Sequence, residues 1–258
     1  IIDFSVLSPR YFRKRINSLK CAKDIFRGIC LRDFPYPDLI KGFSQLITEF
    51  PNIKIVSFSN CNCNKGLTAL ADASKEARKR KKSFGVTYWD LSFNKFNNFS
   101  YFSTVIENST EPIKYLNING CNIYDEDAEI LFSTLEHFEH VKKLKFLSIA
   151  ETSFDSNKSI RAFKRFLQVC NLTYLDLGSI PNIADVITSL EEVGVNSLKT
   201  LILKNTLLES RSLDDLLQII KHSDKLAELD ISGTGLLVES ISSIIEAINQ
   251  GNEEIAIN

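Results

Sequence analysis

The stretch that decides the fold is "VTYWDLSFNKF", residues 86–96. Four apolar side chains follow a fixed spacing in it, at Val86, Trp89, Leu91 and Phe96. Strict alternation would indicate a strand and a 3.6-residue period a helix, but this spacing fits neither over its whole length. The pattern therefore predicts a short strand over its first half, followed by a turn in which the chain bends inward at Asn94.

The same spacing recurs along the chain, in segments that begin at residues 26, 53, 86, 113, 144, 172, 198 and 226. The steps between these starts range from 26 to 33 residues. The lines resemble the leucine-rich repeat, L-x-x-L-x-L-x-x-N/C-x-L, in which each unit contributes a strand and a helix. The resemblance implies an α/β leucine-rich-repeat solenoid, or horseshoe, with a concave parallel β-sheet and convex helices.

Amphipathic helical patterns lie between the predicted strands. Examples are "PDLIKGFSQLITEF" (37–50), "DEDAEILFSTLEHFEHV" (125–141) and "SLDDLLQIIKHS" (212–223). In the last segment, Ser212 is predicted to cap the helix, and Asp214 and Asp215 place negative charge near its first turn. A helix in every unit, with steps near 28 residues, resembles the ribonuclease-inhibitor class of leucine-rich repeat.

The repeats predict one domain over residues 1–258, with about eight full repeats and a partial repeat at each end. One domain is expected because no unit buries its apolar side without its neighbours. "IIDFSV" (1–6) and "EEIAIN" (253–258) read as strands already in register, and neither end shows a clear polar capping unit. The ends therefore predict either a fragment of a longer protein or irregular caps, and the absence of Met favours the fragment.

Composition and cysteine placement indicate what class of protein this is and in which cellular compartment it resides. With 44% hydrophobic and 24% charged residues, the chain is expected to fold rather than to be disordered. It contains no run of 18 apolar residues, so no membrane span is predicted. Cysteines occur at 21, 30, 61, 63, 121 and 170. Cys61 and Cys121 occupy the N/C position of the repeat, and Cys63 the apolar eleventh position. Free, buried thiols are therefore expected, which favours a reducing cytoplasm over disulfides or a metal half-site at "CNC".

Charge is distributed unevenly along the chain. Residues 1–85 contain 17 Lys/Arg and 7 Asp/Glu, whereas residues 86–258 contain 14 and 25. The most basic segment is Arg78, Lys79, Arg80, Lys81 and Lys82. It is a candidate contact for an anionic membrane surface, a nuclear signal or an acidic protein face, and the alternative is a solvated helix end. Basic and aromatic residues are not interleaved, so no nucleic-acid partner is predicted.

No catalytic motif is present in the sequence. It lacks G-x-G-x-x-G, the phosphate-binding G-x-x-x-x-G-K-[ST], G-x-S-x-G and H-E-x-x-H. His137 and His140 are three residues apart but lack a third metal ligand at a suitable spacing, and His222 follows an apolar helical pattern. The prediction is a protein without enzymatic activity, metal or cofactor.

The candidate binding residues lie on the predicted concave face. Positions 3 and 5 of each strand face away from the core, because side chains alternate along a strand. Position 3 is aromatic in four successive repeats (Tyr88, Tyr115, Phe146 and Tyr174), and position 5 includes Asp90, Asn117 and Asp176. Aromatic residues are enriched in interfaces, so this row predicts a protein-binding surface that suits a basic or amphipathic segment. The alternative is cross-strand stacking that only stabilises the sheet.

The lines "YLNINGCNI", "LTYLDLGS" and "LAELDISGTGLLVESISSIIEAI" resemble the repeats of the capping-protein and myosin-I linker (CARMIL) family. The resemblance implies an interaction scaffold in actin regulation, located in the cytoplasm at the inner face of the plasma membrane. Two alternatives stay open. One is a GTPase-activating protein like RanGAP, whose loops would supply residues such as Asn94, Lys95 and Asn122. The other is the ligand-sensing module of a larger receptor. The oligomeric state is not predicted.

Overall fold

The computed structural model describes residues 1–5, 11, 24–34, 36–50, 52–250 and 255–258. They form two compact units. The N-terminal unit comprises Ile1–Asn122 with Phe138–His140, and the C-terminal unit comprises Ile123–His137 with Val141–Asn258. Cys21, the last residue of "IIDFSV" and the first two of "EEIAIN" lie outside the described residues. The extent of the predicted single domain stays a prediction.

In the N-terminal unit, a helix separates each pair of successive strands from the second strand to the fifth, and the strands pair parallel to one another in chain order. The strands are β1 (Ile2–Asp3), β2 (Gly28–Arg32), β3 (Ile55–Ser59), β4 (Tyr88–Asp90) and β5 (Tyr115–Asn117), and the helices are α1 (Pro37–Glu49), α2 (Asn64–Lys79) and α3 (Ser100–Glu107). Equivalent repeat positions lie side by side, because Tyr88 pairs with Ile55 on one neighbour and Tyr115 on the other. The register read from the sequence is confirmed there.

The C-terminal unit repeats this plan and begins with a helix. Its helices are α4 (Asp125–His137), α5 (Asn157–Val169), α6 (Ala184–Val193), α7 (Ser210–His222) and α8 (Val238–Gln250), and its parallel strands are β6 (Phe146–Ser148), β7 (Tyr174–Asp176), β8 (Thr200–Ile202), β9 (Glu228–Asp230) and β10 (Ala256–Ile257). A short 3-10 helix spans Val141–Lys143. Phe146, Tyr174, Thr200 and Glu228 lie side by side in the register.

The core of each unit is built from repeat positions 1, 4 and 6 and from the inner helix faces. In the central repeat, Val86, Trp89 and Leu91 are fully buried. Trp89 meets Phe102 of α3 edge-on, with ring centroids 5.4 Å apart. Burial of these positions confirms which side of the strand faces inward and confirms the leucine-rich-repeat fold predicted from the spacing.

In six of the eight repeats, the turn after the strand is held by a polar side chain or a thiol at repeat position 9. Asn94 is fully buried, and its Nδ2 donates to the carbonyl oxygens of Phe58 (2.5 Å) and Leu91 (2.7 Å). Its Oδ1 accepts hydrogen bonds from the backbone N–H groups of Cys61 (2.9 Å) and Cys63 (3.3 Å). Other repeats use a thiol or a hydroxyl at this position, namely Cys61, Cys121, Thr152, Thr206 and Thr234.

The residue at repeat position 8, directly before position 9, adopts the left-handed backbone conformation in each of the eight repeats. The φ angles are 51° at Asp33, 50° at Asn60, 57° at Phe93, 64° at Gly120, 55° at Glu151, 55° at Ser179, 56° at Asn205 and 71° at Gly233. Within each unit, the backbone N–H of this residue donates a hydrogen bond to a carbonyl oxygen at or just beyond the end of the next strand. One example runs from the Phe93 N–H to the Asn119 carbonyl oxygen (2.7 Å). The repeated hydrogen bond fixes the backbone there, whatever side chain is attached.

Two sequence-based boundaries differ from the structure. Helix α7 begins at Ser210 rather than at Ser212, whose Oγ is buried and has no hydrogen-bond partner in the described chain. The predicted Ser212 cap is therefore wrong, because the helix starts half a turn earlier. Helix α4 ends at His137 rather than at residue 141. Within the described residues, no helix is both long and apolar enough to cross a membrane.

Candidate protein-binding surfaces on the strands

The first candidate surface, called here the N-terminal strand face, consists of Tyr88, Asp90, Tyr115 and Asn117. All four side chains are half-buried, on the opposite side of the strands from Trp89. The rings of Tyr88 and Tyr115 stack, with centroids 3.8 Å apart and planes 10° apart. Because stacked rings turn a face toward each other, they present apolar ring edges to solvent. The structure thus brings together the four predicted residues of β4 and β5.

The second candidate surface, called here the C-terminal strand face, consists of Phe146, Tyr174, Asp176, Glu228 and Asp230. Phe146 and Tyr174 stack with centroids 4.1 Å apart and planes 11° apart. Glu228 and Asp230 lie on β9. Strand β8 pairs with both β7 and β9, so one strand separates these two carboxylates from Tyr174 and Asp176. The aromatic pairs have the geometry expected for sheet packing, and both also keep part of their surface open to solvent.

The carboxylates at repeat position 5 also hold the turns. Asp90 Oδ1 accepts from the backbone N–H of Ser92 (3.1 Å) and Asp176 Oδ1 from that of Gly178 (3.0 Å). Their Oδ2 atoms accept from the hydroxyl groups of Ser57 (2.9 Å) and Ser148 (2.8 Å) on the preceding strands. These hydrogen bonds fix each carboxylate in place, so the acidic row is part of the turn as well as part of the surface.

The carboxylates of the C-terminal strand face form no ion pair within the described chain. Neither Asp176 nor Glu228 nor Asp230 has a Lys, Arg or His nitrogen at ion-pair distance there. Burial raises the pKa of Tyr174, and the negative charges of Asp176, Glu228 and Asp230 raise it further. The three carboxylates therefore act on one phenol and produce a localised negative potential beside the stacked rings.

The five predicted basic residues divide into paired and unpaired groups. Arg78 donates to the Glu107 carbonyl (3.1 Å), and Arg80 forms an ion pair with Glu76 (2.6 Å) at the end of α2. The side chains of Lys79, Lys81 and Lys82 are exposed and have no partner in the part of the chain that the structure describes. Within the basic segment 78–82, these three ammonium groups are the ones open for an anionic contact.

The cysteines behave as the repeat register predicts. Cys61, Cys63 and Cys121 are buried, and Cys30 and Cys170 are half-buried, all with free thiols. Burial raises the pKa of Cys61 to about 11 and of Cys121 to about 12. Thiols with such values are protonated at neutral pH and are poor metal ligands. No group of three His, Cys, Asp or Glu side chains suited to a metal ion occurs within the described residues.

The histidines and the loop residues of the GTPase-activating alternative are mostly engaged in local contacts. The ring Nδ1 atoms of His137 and His222 lie 2.8 and 2.9 Å from carbonyl oxygens of their own helices. Asn94 is buried in its turn, and Asn122 exchanges two hydrogen bonds with the backbone of Phe96. Of the three loop residues, only Lys95 is exposed. Both asparagines therefore serve to hold their own turns in this structure.

Three surface residues were missed by the sequence-based site prediction. Glu228 and Asp230 extend the acidic surface beyond Asp176, and their places at positions 3 and 5 of the last full repeat could have identified them. Phe93 is 49% exposed at the left-handed position 8. No signal in its own residue type marks it, because the left-handed conformation becomes evident only when all eight repeats are aligned on the structure.

These features define a protein of the leucine-rich-repeat fold with two strand faces rich in aromatic and acidic side chains. Among solved structures, the chain is similar to an internalin from Listeria monocytogenes, with a TM-score of 0.54 and 12% identity over 94% of this chain and 69% of the internalin. It also aligns with a leucine-rich-repeat protein from Leptospira interrogans (TM-score 0.40, 12% identity, 93% of this chain and 74% of that chain). At this identity the internalin supports the fold alone. No protein-family model and no curated protein matches the chain.

Proposed function

We propose that this protein is a non-enzymatic interaction scaffold that binds a protein ligand on its strand faces. The observation that carries the proposal is the pairing of partly exposed, stacked aromatic rings with carboxylates that have no cationic partner in the described chain. Aromatic edges supply apolar contact, and fixed carboxylates supply charge without a further cost in side-chain ordering. Both surfaces offer this combination.

The preferred ligand is a basic or amphipathic segment of another protein. Three carboxylates around Tyr174 would attract Lys or Arg and repel acidic sequences, which affects association rate and selectivity more than affinity. The proposed location is the cytoplasm, supported by free cysteines at repeat positions where the thiols are buried. Actin regulation at the inner face of the plasma membrane is proposed from the CARMIL resemblance of the sequence, and the exposed Lys79, Lys81 and Lys82 suit that setting.

Binding of peptides of graded charge tests the proposal directly. Fluorescently labelled basic, neutral and acidic peptides of equal length and apolar content would be titrated with the wild type. The same titrations would follow with Tyr174→Leu/Asp176→Asn/Glu228→Gln. Asn and Gln keep one acceptor oxygen of each carboxylate while removing its charge, and the Ser148 hydroxyl can accept a hydrogen bond from the amide nitrogen introduced at position 176. We expect basic peptides to bind most tightly, and the variant to weaken them by about tenfold or more.

The matched control is Tyr124→Leu, which removes an exposed aromatic ring of the C-terminal unit that lies outside the strands. It should bind as the wild type does. Affinities that are independent of peptide charge, or that are equal in the wild type and the triple variant, would contradict the proposal. Melting temperatures of all variants establish that each is folded.

A further inference from the structure

Phe93 stands out among the eight residues at repeat position 8. The other seven are Asp33, Asn60, Gly120, Glu151, Ser179, Asn205 and Gly233, all of them polar or glycine. The left-handed conformation suits Gly, Asn and Asp and is unfavourable for a bulky side chain. Strained residues of this kind cluster at functional sites, where the surrounding structure enforces them.

The ring of Phe93 is displayed at the surface rather than buried. Its backbone is held by the hydrogen bond to the Asn119 carbonyl, and its side chain is 49% exposed. The ring lies above Gly120, where an added methyl group would come within 2.5 Å of the Phe93 Cδ1 atom. The missing side chain at Gly120 therefore makes room for the ring, and roughly half of the ring remains available for contact.

Asp90 is the charged residue of β4 and lies a short way before Phe93 in the sequence. Its carboxylate accepts hydrogen bonds from Ser57 and Ser92, but it forms no ion pair within the described chain. Asn119, which extends β5 toward Phe93, has a buried Oδ1 atom without a hydrogen bond from any described residue, and a buried atom offers no contact to a ligand. A carboxylate without an ion pair suits a ligand that brings positive charge.

The spacing of these groups defines the shape of the ligand. The stacked Tyr88 and Tyr115 lie at position 3, the polar groups of Asp90 and Asn119 at positions 5 and 7, and Phe93 at position 8. Strand β4 ends at Asp90 and the chain turns at residues 92–93, so the chain from Tyr88 to Phe93 spans less than the ~17 Å of a fully extended segment. An extended peptide covers such a distance in five residues or fewer.

We propose that Tyr88, Tyr115 and Phe93 form a two-anchor site for an extended segment of a partner protein. The segment carries two apolar side chains at most five residues apart, with Lys or Arg between them. One apolar side chain packs on the tyrosine pair and the other on Phe93, and the basic residue lies over Asp90. This inference rests on the proposed function of the N-terminal strand face and adds an anchor and a sequence pattern to it.

Selection from a displayed library of short random peptides tests the proposal. The library would be selected on the wild type, and the enriched peptides would then be titrated against three variants. Phe93→Asn removes the ring and leaves a residue type that Asn60 and Asn205 already place at position 8. Tyr88→Leu/Tyr115→Leu removes the other anchor. Tyr101→Asn, which alters an exposed ring on α3, is the matched control.

The expected result is enrichment of peptides with two apolar residues at most five positions apart flanking Lys or Arg. Phe93→Asn should weaken them about tenfold or more, while its melting temperature equals or exceeds that of the wild type. Tyr101→Asn should bind normally. If Tyr88→Leu/Tyr115→Leu loses binding but Phe93→Asn keeps it, the strand face binds and the Phe93 anchor is refuted. If Phe93→Asn lowers the melting temperature but leaves binding unchanged, Phe93 has a structural role and the proposed anchor is again refuted. A library that enriches no pattern overturns both proposals for this face.

Discussion

Asn94 shows how one side chain determines the course of the chain. Its carboxamide satisfies backbone groups on two adjacent turns, all in a fully buried position. We expect Asn94→Ala to lower the free energy of unfolding by at least about 3 kcal/mol, because several buried polar groups lose their partners together. Urea denaturation would measure the loss. Asn122→Ala, at a half-buried residue with two hydrogen bonds to Phe96, should cost clearly less, and equal losses would contradict this account.

Neighbouring residues on β4 should respond very differently to truncation. Trp89 is fully buried, so Trp89→Ala should lower the free energy of unfolding by about 3–5 kcal/mol. Tyr88 lies on the opposite side and loses mainly its stacking on Tyr115, so Tyr88→Ala should cost about 1 kcal/mol. Chemical denaturation of both variants provides the measurement. A larger loss at Tyr88 than at Trp89 would reverse the assignment of the two sides.

At this scale, the sequence predicted what depends on residue type within the repeat. Burial of Asn94, Cys61 and Cys121 follows from their place in the consensus line, and so does the outward placement of Tyr88. Phe93 could not be predicted in this way. Its conformation is imposed by a backbone hydrogen bond to the next strand, and phenylalanine itself gives no indication of a left-handed backbone.

At the scale of elements, the helix bodies were predicted and their ends were less so. Helix α1 closely matches its amphipathic segment, because apolar periodicity reflects which face is buried. The start of α7 was misjudged, since Ser212 is a plausible cap by type, yet its hydroxyl group is buried inside the helix. Nothing in the sequence indicates that Asp125, in the first turn of α4, accepts hydrogen bonds from groups at the start of α5.

Asp125 links the beginnings of two helices and predicts a dependence of stability on pH. Its Oδ1 accepts from the backbone N–H groups of Asp155 (2.9 Å) and Ser156 (2.8 Å) and from the Ser159 hydroxyl (2.6 Å), at the start of α5. Burial raises the pKa of the carboxyl group, but these hydrogen bonds outweigh burial and leave the pKa below its ordinary value of 3.8.

A pKa that is lowered by folding contributes stability above the unfolded value, and this contribution is lost as the pH falls through the folded value. Asp125→Asn should therefore be less stable than the wild type at pH 7, by about 1 kcal/mol. The difference should shrink as the pH falls below about 3.8. Thermal unfolding across that range would show it. A stability difference that stays constant with pH would mean that the carboxylate charge contributes nothing.

At the scale of the molecule, the repeat period predicted the fold because each unit has to bury its apolar side against the next. The binding partner is a different matter. The period specifies that positions 3 and 5 face outward, but the carboxylates there serve the turns as well as the surface. Repeat spacing alone therefore does not distinguish a carboxylate that only stabilises a turn from one that also binds a ligand. Charge that is left without a cation, as at Asp176 and Asp230, is visible only in three dimensions.

The uneven charge of the chain leads to a prediction about membranes. Residues 1–85 carry a net charge of +10, and within them the ammonium groups of Lys79, Lys81 and Lys82 lack partners in the described chain. Each Lys near an anionic bilayer contributes about 1 kcal/mol at physiological salt. We therefore expect Lys79→Gln/Lys81→Gln/Lys82→Gln to weaken binding to phosphatidylserine vesicles by roughly 100-fold, measured by cosedimentation.

The control for this prediction has the same net charge. Lys114→Gln/Lys142→Gln/Lys143→Gln also removes three exposed ammonium groups, but outside the basic segment. If the membrane responds only to total charge, both variants weaken vesicle binding equally. If the segment after α2 is the contact, only the first variant does, and the difference disappears at high salt because screening acts on exposed charges. If the wild type binds vesicles of phosphatidylcholine alone as tightly as vesicles that contain phosphatidylserine, an electrostatic membrane contact is ruled out. The exposed lysines would then serve only to solvate the helix end.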